Sequence, residues 1–252
     1  MDEAPVNTDR NALLAVIGTA GRQEDAARIS RALYDAMYAE VLRAMAGWDV
    51  RGLVSGGAAV ADHLAVRAFL DGRAERLVLH FPAPFRDREF VRQRQALSDD
   101  AGTANRYHRQ FSAACGLDSL GEIAEAMARG AETHAGLGFA ARNLDVAAAA
   151  THMVALTFGP AGGPADPAPD PACHAWTGPD GIRRKVSADF LPDAAGFSEP
   201  AAAGLGGRGT PHTWRACWKA EVKRHVNLTL LERCLLAAQA SEVPLAGIRA
   251  AP

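Results

Sequence analysis

Four short loops, each placed after an apolar run, carry the residues best suited to bind an anion. In this chain of 252 residues they span residues 18–22, 55–58, 81–85 and 206–210. Three of them precede a predicted helix. Glycine lets the backbone approach a ligand, and a helix N-terminus presents unpaired N–H groups with a partial positive charge. The combination predicts phosphate binding, although tight strand–helix turns also require glycine for steric reasons alone.

The elements that position these loops alternate between strands and helices. Short apolar runs predict strands near residues 13–17, 50–55, 76–81, 152–158 and 226–231. Helical periodicity and helix-start residues predict helices at residues 23–46, 58–70, 87–97, 104–115, 119–134, 139–150 and 211–223. Crossovers this short imply parallel strands in a doubly wound α/β sheet. In such sheets, ligands bind beyond the carboxyl ends of the strands, where the glycine-rich loops lie.

Two stretches interrupt this alternation. Residues 86–136 are predicted to be wholly helical, and residues 159–204 are rich in proline and glycine. Within the second stretch, residues 178–181 read Gly-Pro-Asp-Gly between two extended arms, which predicts a small β-hairpin. The hairpin carries Arg183, Arg184 and Lys185, and we expect it to act as a lid over an anionic ligand.

Composition excludes several classes of protein. The chain has 27 Lys+Arg against 29 Asp+Glu, for a net charge of -2, which argues against a dedicated nucleic-acid binder. None of its four cysteines stands in a CxxC spacing, so we expect no metal and no cofactor. The N-terminus lacks a basic region, and no apolar stretch approaches the about 20 residues that span a bilayer. These features predict a cytoplasmic protein with no membrane partner.

Four motifs in a fixed order resemble a known superfamily. Residues 16–22 read Val-Ile-Gly-Thr-Ala-Gly-Arg, and residues 53–62 read Leu-Val-Ser-Gly-Gly-Ala-Ala-Val-Ala-Asp. Residues 138–143 (Gly-Phe-Ala-Ala-Arg-Asn) and 206–210 (Gly-Gly-Arg-Gly-Thr) follow. Together they are similar to the SLOG superfamily, the Rossmann-like group that contains the LOG phosphoribohydrolases and the DNA-processing protein DprA. The Arg-Asn helix start is similar to that of many bacterial members.

The resemblance covers roughly residues 13–85 and 137–232. It implies one Rossmann-like domain over residues 1–252, with a helical insertion at 86–136 and a Pro/Gly-rich insertion at 159–204. It also implies a ligand that is a nucleotide or derives from one, such as a ribose phosphate or an NAD-derived signal. The implied ligand-binding residues are Gly18, Thr19, Arg22, Gly56, Gly57, Ala58, Asp62, Arg142, Asn143, Gly206, Gly207, Gly209 and Thr210.

The resemblance also assigns roles within that set. Backbone N–H groups of the 206–209 loop and the Thr210 hydroxyl would wrap a phosphate, while Arg22 and Arg142 would supply positive charge. The residues at 56–58 would lie under the ribose or phosphate, and Asp62 would face the same cleft.

One departure from the family bears on activity. The hydrolytic LOG enzymes read PGGxGTxxE, and their glutamate assists cleavage of the N-glycosidic bond. This chain has Leu205 at the proline position and Thr213 at the glutamate position, and a hydroxyl cannot replace a carboxylate in that chemistry. A nucleotide sensor without turnover is therefore the first hypothesis. The second is an N-glycosidic hydrolase or transferase with a rearranged carboxylate.

Structural alternatives stay open for the charged residues. Arg142 and Asp145 are spaced to form a surface ion pair on one helical turn, and Asp62 could be a solvated or helix-capping residue. The arginines of the 86–136 stretch predict a solvated face, or else a homo-oligomer interface or nucleic-acid contact. The residues do not decide among these.

Overall fold

The computed structural model describes residues 11–94, 98–136, 138–158, 175–177, 183–185, 210–217, 219–220 and 222–241. The strands are β1 (Leu13–Gly18), β2 (Gly52–Ser55), β3 (Arg76–Phe81), β4 (Phe85–Arg86), β5 (Glu89–Phe90), β6 (Glu132–Ala135), β7 (His152–Thr157), β8 (Ala175–Thr177), β9 (Arg183–Lys185) and β10 (Val222–Asn227). The α-helices are α1 (Arg31–Trp48), α2 (His63–Leu70), α3 (Asp100–Cys115), α4 (Ser119–Ala128), α5 (Gly138–Ala149), α6 (Thr210–Ala216) and α7 (Leu228–Ser241). A short 3-10 helix, Gln23–Arg28, precedes α1.

Six strands form one parallel sheet in the order β10-β7-β1-β2-β3-β6. The chain builds outward from β1 through β2 and β3 to β6, and then returns to the other side of β1 with β7 and β10. The order therefore reverses between β1 and β7, and the crevice of a doubly wound sheet opens at such a switch point. This architecture confirms the predicted α/β Rossmann-like fold.

Alternate residues of the strands face two helical layers. One face carries Leu14, Val16 and Leu156 and packs against α1, α2 and α7, with α3 and α4 stacked behind α2. The other face carries Ala15, Ile17 and other small or apolar residues and packs against α5 and α6, from which Trp214 is 3% exposed. Strands buried on both faces have no polar alternation, which is why they read as continuous apolar runs.

One predicted strand was misplaced, and another strand was predicted as part of a helix. The helix predicted at 119–134 ends at Ala128, and Glu132–Ala135 is instead the edge strand β6 beside β3. The last strand runs from Val222 to Asn227 rather than over 226–231, and the predicted helix at 211–223 ends at Ala216. Both β6 and β10 contain polar residues, whereas strands were predicted from apolar runs.

The helix predicted at 87–97 was also wrong over residues 87–94, and residues 95–97 lie outside the described residues. Residues 85–90 form a two-stranded hairpin in which Phe85 pairs with Phe90. Its turn residues, Asp87 and Arg88, have φ values of 50° and 64°. A two-residue turn with positive φ at both positions matches the right-handed twist of a hairpin.

The Pro/Gly-rich stretch lies mostly outside the described residues. Within it, β8 and β9 pair antiparallel with Trp176 opposite Arg184, which confirms the predicted hairpin. In the part of the chain that the structure describes, none of the helices has the length and apolar character needed to cross a membrane.

Candidate functional site

The loop after β1 is held by close packing and by its own hydroxyl group. A Cβ atom at Gly18 would lie 2.7 Å from the Cβ of Ala61 and would collide with the Leu156 carbonyl. The Thr19 hydroxyl donates to Asp25 (2.7 Å) and accepts from the Gly21 N–H (3.1 Å). A side chain at position 18 would thus prevent the close contact of this loop with Ala61 and Leu156. The hydroxyl of Thr19 stabilises the loop through its two hydrogen bonds.

The loop after β2 turns sharply beneath the candidate site. Gly57 has a φ of 61°, and a Cβ there would lie 2.6 Å from the ring of Phe81. Val60 follows with a φ of 65°, a left-handed conformation that is uncommon for a β-branched residue, and it is 1% exposed. The loop is therefore held in a strained shape by its surroundings, which is a common property of ligand-binding loops.

Asp62 and Arg142 form a buried ion pair at the centre of the site. Their side chains are 5% and 11% exposed, and Arg142 Nη1 lies 3.5 Å from Asp62 Oδ2. The same Nη1 donates to the Gly56 carbonyl at 3.0 Å, while Nε and Nη2 donate to Asn143 Oδ1. Arg142 therefore does not form the alternative surface pair with Asp145, which is exposed.

Asp62 is buried, and although it occupies the N-cap position of α2, its side chain does not cap the helix. Its carboxylate accepts from the Ala58 N–H at 3.4 Å, and its side chain makes no capping hydrogen bond to α2. Burial raises the pKa of Asp62, while Arg142 and the N–H groups of Ala58 and Gly56 act in the opposite direction. Burial likewise lowers the pKa of Arg142, and Asp62 opposes that change. The two charged groups are thus buried together, and each stabilises the charged form of the other.

Arg22 is exposed, and its positive charge acts to lower the pKa of both Asp62 and Arg142. Its guanidinium carbon lies 5.5 Å from the ring centre of Tyr107 and 5.7 Å from that of Phe139. Among the described residues, no carboxylate pairs with Arg22 within 4.0 Å. Its positive charge is consequently available to a ligand, whereas that of Arg142 is matched by Asp62.

The structure brings together all ten predicted site residues that it describes. Thr210 joins the group because its hydroxyl donates to the Gly18 carbonyl at 2.8 Å. The loop after β1 meets the loop after β2 through a hydrogen bond from Ala61 N–H to the Thr19 carbonyl (3.1 Å). Gly206, Gly207 and Gly209 lie outside the described residues, so their predicted contacts with a phosphate stay predictions.

A buried histidine network supports the loop and was not predicted from the sequence. His108 Nε2 donates to the Gly57 carbonyl (3.0 Å), and its Nδ1 meets Ser119 Oγ (3.0 Å). His63 Nε2 donates to the Ser119 carbonyl (3.2 Å), and its Nδ1 accepts from the Tyr34 hydroxyl (2.9 Å). Since carbonyls only accept, both histidines carry their proton on Nε2.

Burial keeps these histidines neutral. Both are 0% exposed, and burial lowers the pKa of His63 to about 3 and that of His108 to about 4. No local motif marks the network, because His108 is 51 residues from Gly57 and His63 is 56 residues from Ser119. The network ties α2, α3 and α4 to the backbone below Arg142.

The arrangement suits recognition of an anion more than metal chemistry. Among the described residues, no group of three or more His, Cys, Asp or Glu side chains is placed to hold a metal ion. The exposed guanidinium, the glycine-lined backbone and the half-buried rings instead lie together at the carboxyl ends of β1 and β2. The fold and this site define a Rossmann-like α/β protein.

Comparison with known proteins places the chain in a family. A curated protein of Acanthamoeba polyphaga mimivirus, described as "Uncharacterized protein R261", is 32% identical to it over 162 residues. The match spans 61% of this chain and 87% of the mimiviral protein, and the chain belongs to the same family as that protein. No protein-family model matches the chain, and no solved structure matches it.

Proposed function

We propose that this protein binds a nucleotide or a nucleotide-derived ligand, such as a ribose phosphate or an NAD-derived signal, and acts as a sensor without turnover. The ligand lies at the carboxyl ends of β1 and β2, beside the point where the strand order reverses. The resemblance to the SLOG superfamily supports this assignment through the motifs that contribute the site.

One observation carries the proposal. Arg22 is an exposed guanidinium that lacks an ion-pair partner among the described residues, and it stands next to a buried Asp62–Arg142 pair above the Gly56 backbone. Most exposed arginines need no ligand, but this one comes from the loop that joins β1 to the following helix. A guanidinium there can bind two phosphate oxygens at once.

Titration calorimetry with AMP, ADP-ribose and ribose 5-phosphate tests the proposal. Arg22→Ala should weaken binding by about 10- to 150-fold, because a hydrogen bond to a charged group contributes about 1.5–3 kcal/mol. Arg73→Ala, an exposed arginine before β3 at the amino ends of the strands, is the matched control and should bind like the parent. Equal affinities of the two variants, or no binding of any of the three ligands, would contradict the proposal.

A catalytic alternative has one observation in its favour. Burial raises the pKa of Asp62, and a carboxyl group with a raised pKa is the general acid of glycosidic bond cleavage. Incubation with AMP or ADP-ribose, followed by chromatography, would show release of free adenine, together with ribose 5-phosphate in the case of AMP, if the chain is a hydrolase. Loss of that release in Asp62→Asn, with Thr213→Ala unaffected, would replace the sensor assignment by the enzyme.

A further inference from the structure

Arginine and aromatic side chains alternate along one side of the candidate site. The guanidinium of Arg106 lies 5.3 Å from the ring centre of Tyr107, and Arg22 lies 5.5 Å from the same ring. Arg22 also lies 5.7 Å from the ring of Phe139, which Arg142 approaches to 5.5 Å. We call these five residues the arginine–aromatic ladder. It leads from an exposed end at Arg106 to the buried ion pair.

The two rings of the ladder come from different parts of the chain. Tyr107 belongs to α3, within the stretch that the family motifs do not cover, and Phe139 lies in the first turn of α5, three residues before Arg142. The Phe139 N–H is fixed by a hydrogen bond to Asp100 Oδ2 at 3.2 Å, so α3 also anchors the start of α5. Both rings are half-buried, with one part packed and another part open to solvent.

The charge of the ladder is only partly matched. At the buried end, the negative charges of Asp62 and Asp100 favour the charged form of Arg142. Among the described residues, Arg22 and Arg106 have no carboxylate within ion-pair distance. The ring of Tyr107 attracts both guanidinium groups through cation–π contact. Two guanidinium groups without a carboxylate partner, beside two partly exposed rings, are complementary to a molecule that has both a planar ring and an anionic group.

From this we infer that Tyr107 and Phe139 form a nucleobase platform, with Arg22 as the phosphate-binding side chain. The ligand class is then a base-bearing nucleotide rather than a sugar phosphate alone. The inference rests on the proposed function and narrows it. Stacking on an aromatic side chain adds affinity for any base, because every base has a π-face. The helical stretch 86–136 thereby becomes part of the ligand site.

Paired titrations separate this inference from the proposed function. AMP, GMP, CMP and UMP are compared with ribose 5-phosphate on the parent protein, Tyr107→Ala, Tyr107→Phe and Arg22→Ala. Tyr107→Ala should weaken binding of the tightest mononucleotide by about 5- to 150-fold and change ribose 5-phosphate affinity by less than about twofold. Tyr107→Phe keeps the ring and should restore mononucleotide binding. Arg22→Ala should weaken both kinds of ligand.

The other outcomes of these titrations contradict the base platform, the proposed function, or both. If the parent binds ribose 5-phosphate as tightly as every mononucleotide, the proposed function stands and the base platform is wrong. If Tyr107→Ala weakens both ligands equally, or neither, while its thermal melt matches that of the parent, the platform is also wrong. If none of the five ligands binds the parent, the platform fails, and the proposed function fails with it when ADP-ribose does not bind either.

Discussion

Gly56 is the residue on which the buried ion pair rests. Its carbonyl accepts from Arg142 Nη1, and a Cβ atom at this position would lie within 2.6 Å of Arg142 Nε. The guanidinium cannot simply swing away, because Asp62 and Asn143 hold it from other sides. A single methyl group at residue 56 would therefore separate two charges that are buried together.

We predict that Gly56→Ala lowers the free energy of unfolding by about 2–4 kcal/mol, because displacing Arg142 leaves the Asp62 carboxylate buried and unpaired. Gly47→Ala is the matched control, since a Cβ at Gly47 in α1 meets no atom within 4 Å. That variant should gain about 0.5–1 kcal/mol from its better helix propensity. Urea unfolding of both variants measures the difference, and equal stabilities would show that Arg142 is not held where we describe it.

The sequence predicted which residues gather at the candidate site but not their mutual contacts. Gly56, Asp62 and Arg142 were predicted from motifs, and they lie together as those motifs imply. The pairing of Arg142 with Asp62 rather than Asp145 was left open, because helical spacing alone favours the nearer carboxylate. Side chains from distant segments compete for a guanidinium on the basis of three-dimensional packing, which a linear pattern does not contain.

Helices α3 and α4 are coupled to the site by neutral histidines. Below the unfolded pKa of about 6.5, the unfolded chain binds protons on these side chains and the folded chain does not. Their lowered pKa values, about 3 for His63 and about 4 for His108, therefore contribute stability above pH 6.5 that is lost as the pH falls toward 4. Buried His225, also at a pKa of about 3, acts in the same sense.

We predict that His108→Gln makes the loss of stability between pH 6.5 and 4 shallower by up to about 1.4 kcal/mol per pH unit, the effect of one proton. A glutamine amide can donate to the Gly57 carbonyl and accept from Ser119 without titrating. Urea midpoints at several pH values give the slopes of the parent and the variant, and parallel curves for the two proteins would refute the assignment.

The predictability of the elements follows their burial. Strands β1, β2, β3 and β7 were predicted within about two residues because both of their faces are covered, which makes them continuous apolar runs. Strand β6 was missed because all four of its residues are exposed at the sheet edge. Strand β10 was misplaced because buried Lys223, which donates to the Trp214 carbonyl at 2.5 Å, looks like a surface residue in the sequence.

At the scale of the whole molecule, the helical stretch 86–136 is joined to the sheet at several points. Its last strand pairs with β3, its helix α4 packs on α2, and Ser119 accepts a hydrogen bond from His63. A segment of about 50 residues buries too little surface to be robust alone. The stretch is therefore best regarded as a layer of one domain.

We predict that limited proteolysis digests residues 86–136 together with the sheet rather than releasing them as a folded fragment. The chain should also lose structure in a single cooperative thermal transition. Mass spectrometry of timed digests, with circular dichroism of any fragment that persists, measures this. A stable helical fragment of the 86–136 stretch would mean that the insertion folds as a separate unit.

The position of β1 in the middle of the sheet has a consequence for the order of folding. Its partner on one side, β2, follows within the same supersecondary unit, but its partner on the other side, β7, is brought in by hydrogen bonds between Leu13 and Thr151, 138 residues apart. Until β7 has been synthesised and has docked, β1 presents an open apolar edge and one uncovered face. Long-range parallel pairing is slow, and exposed strand edges promote aggregation. Chaperone supply during expression should accordingly affect the yield of this protein more than the temperature at which the purified protein melts.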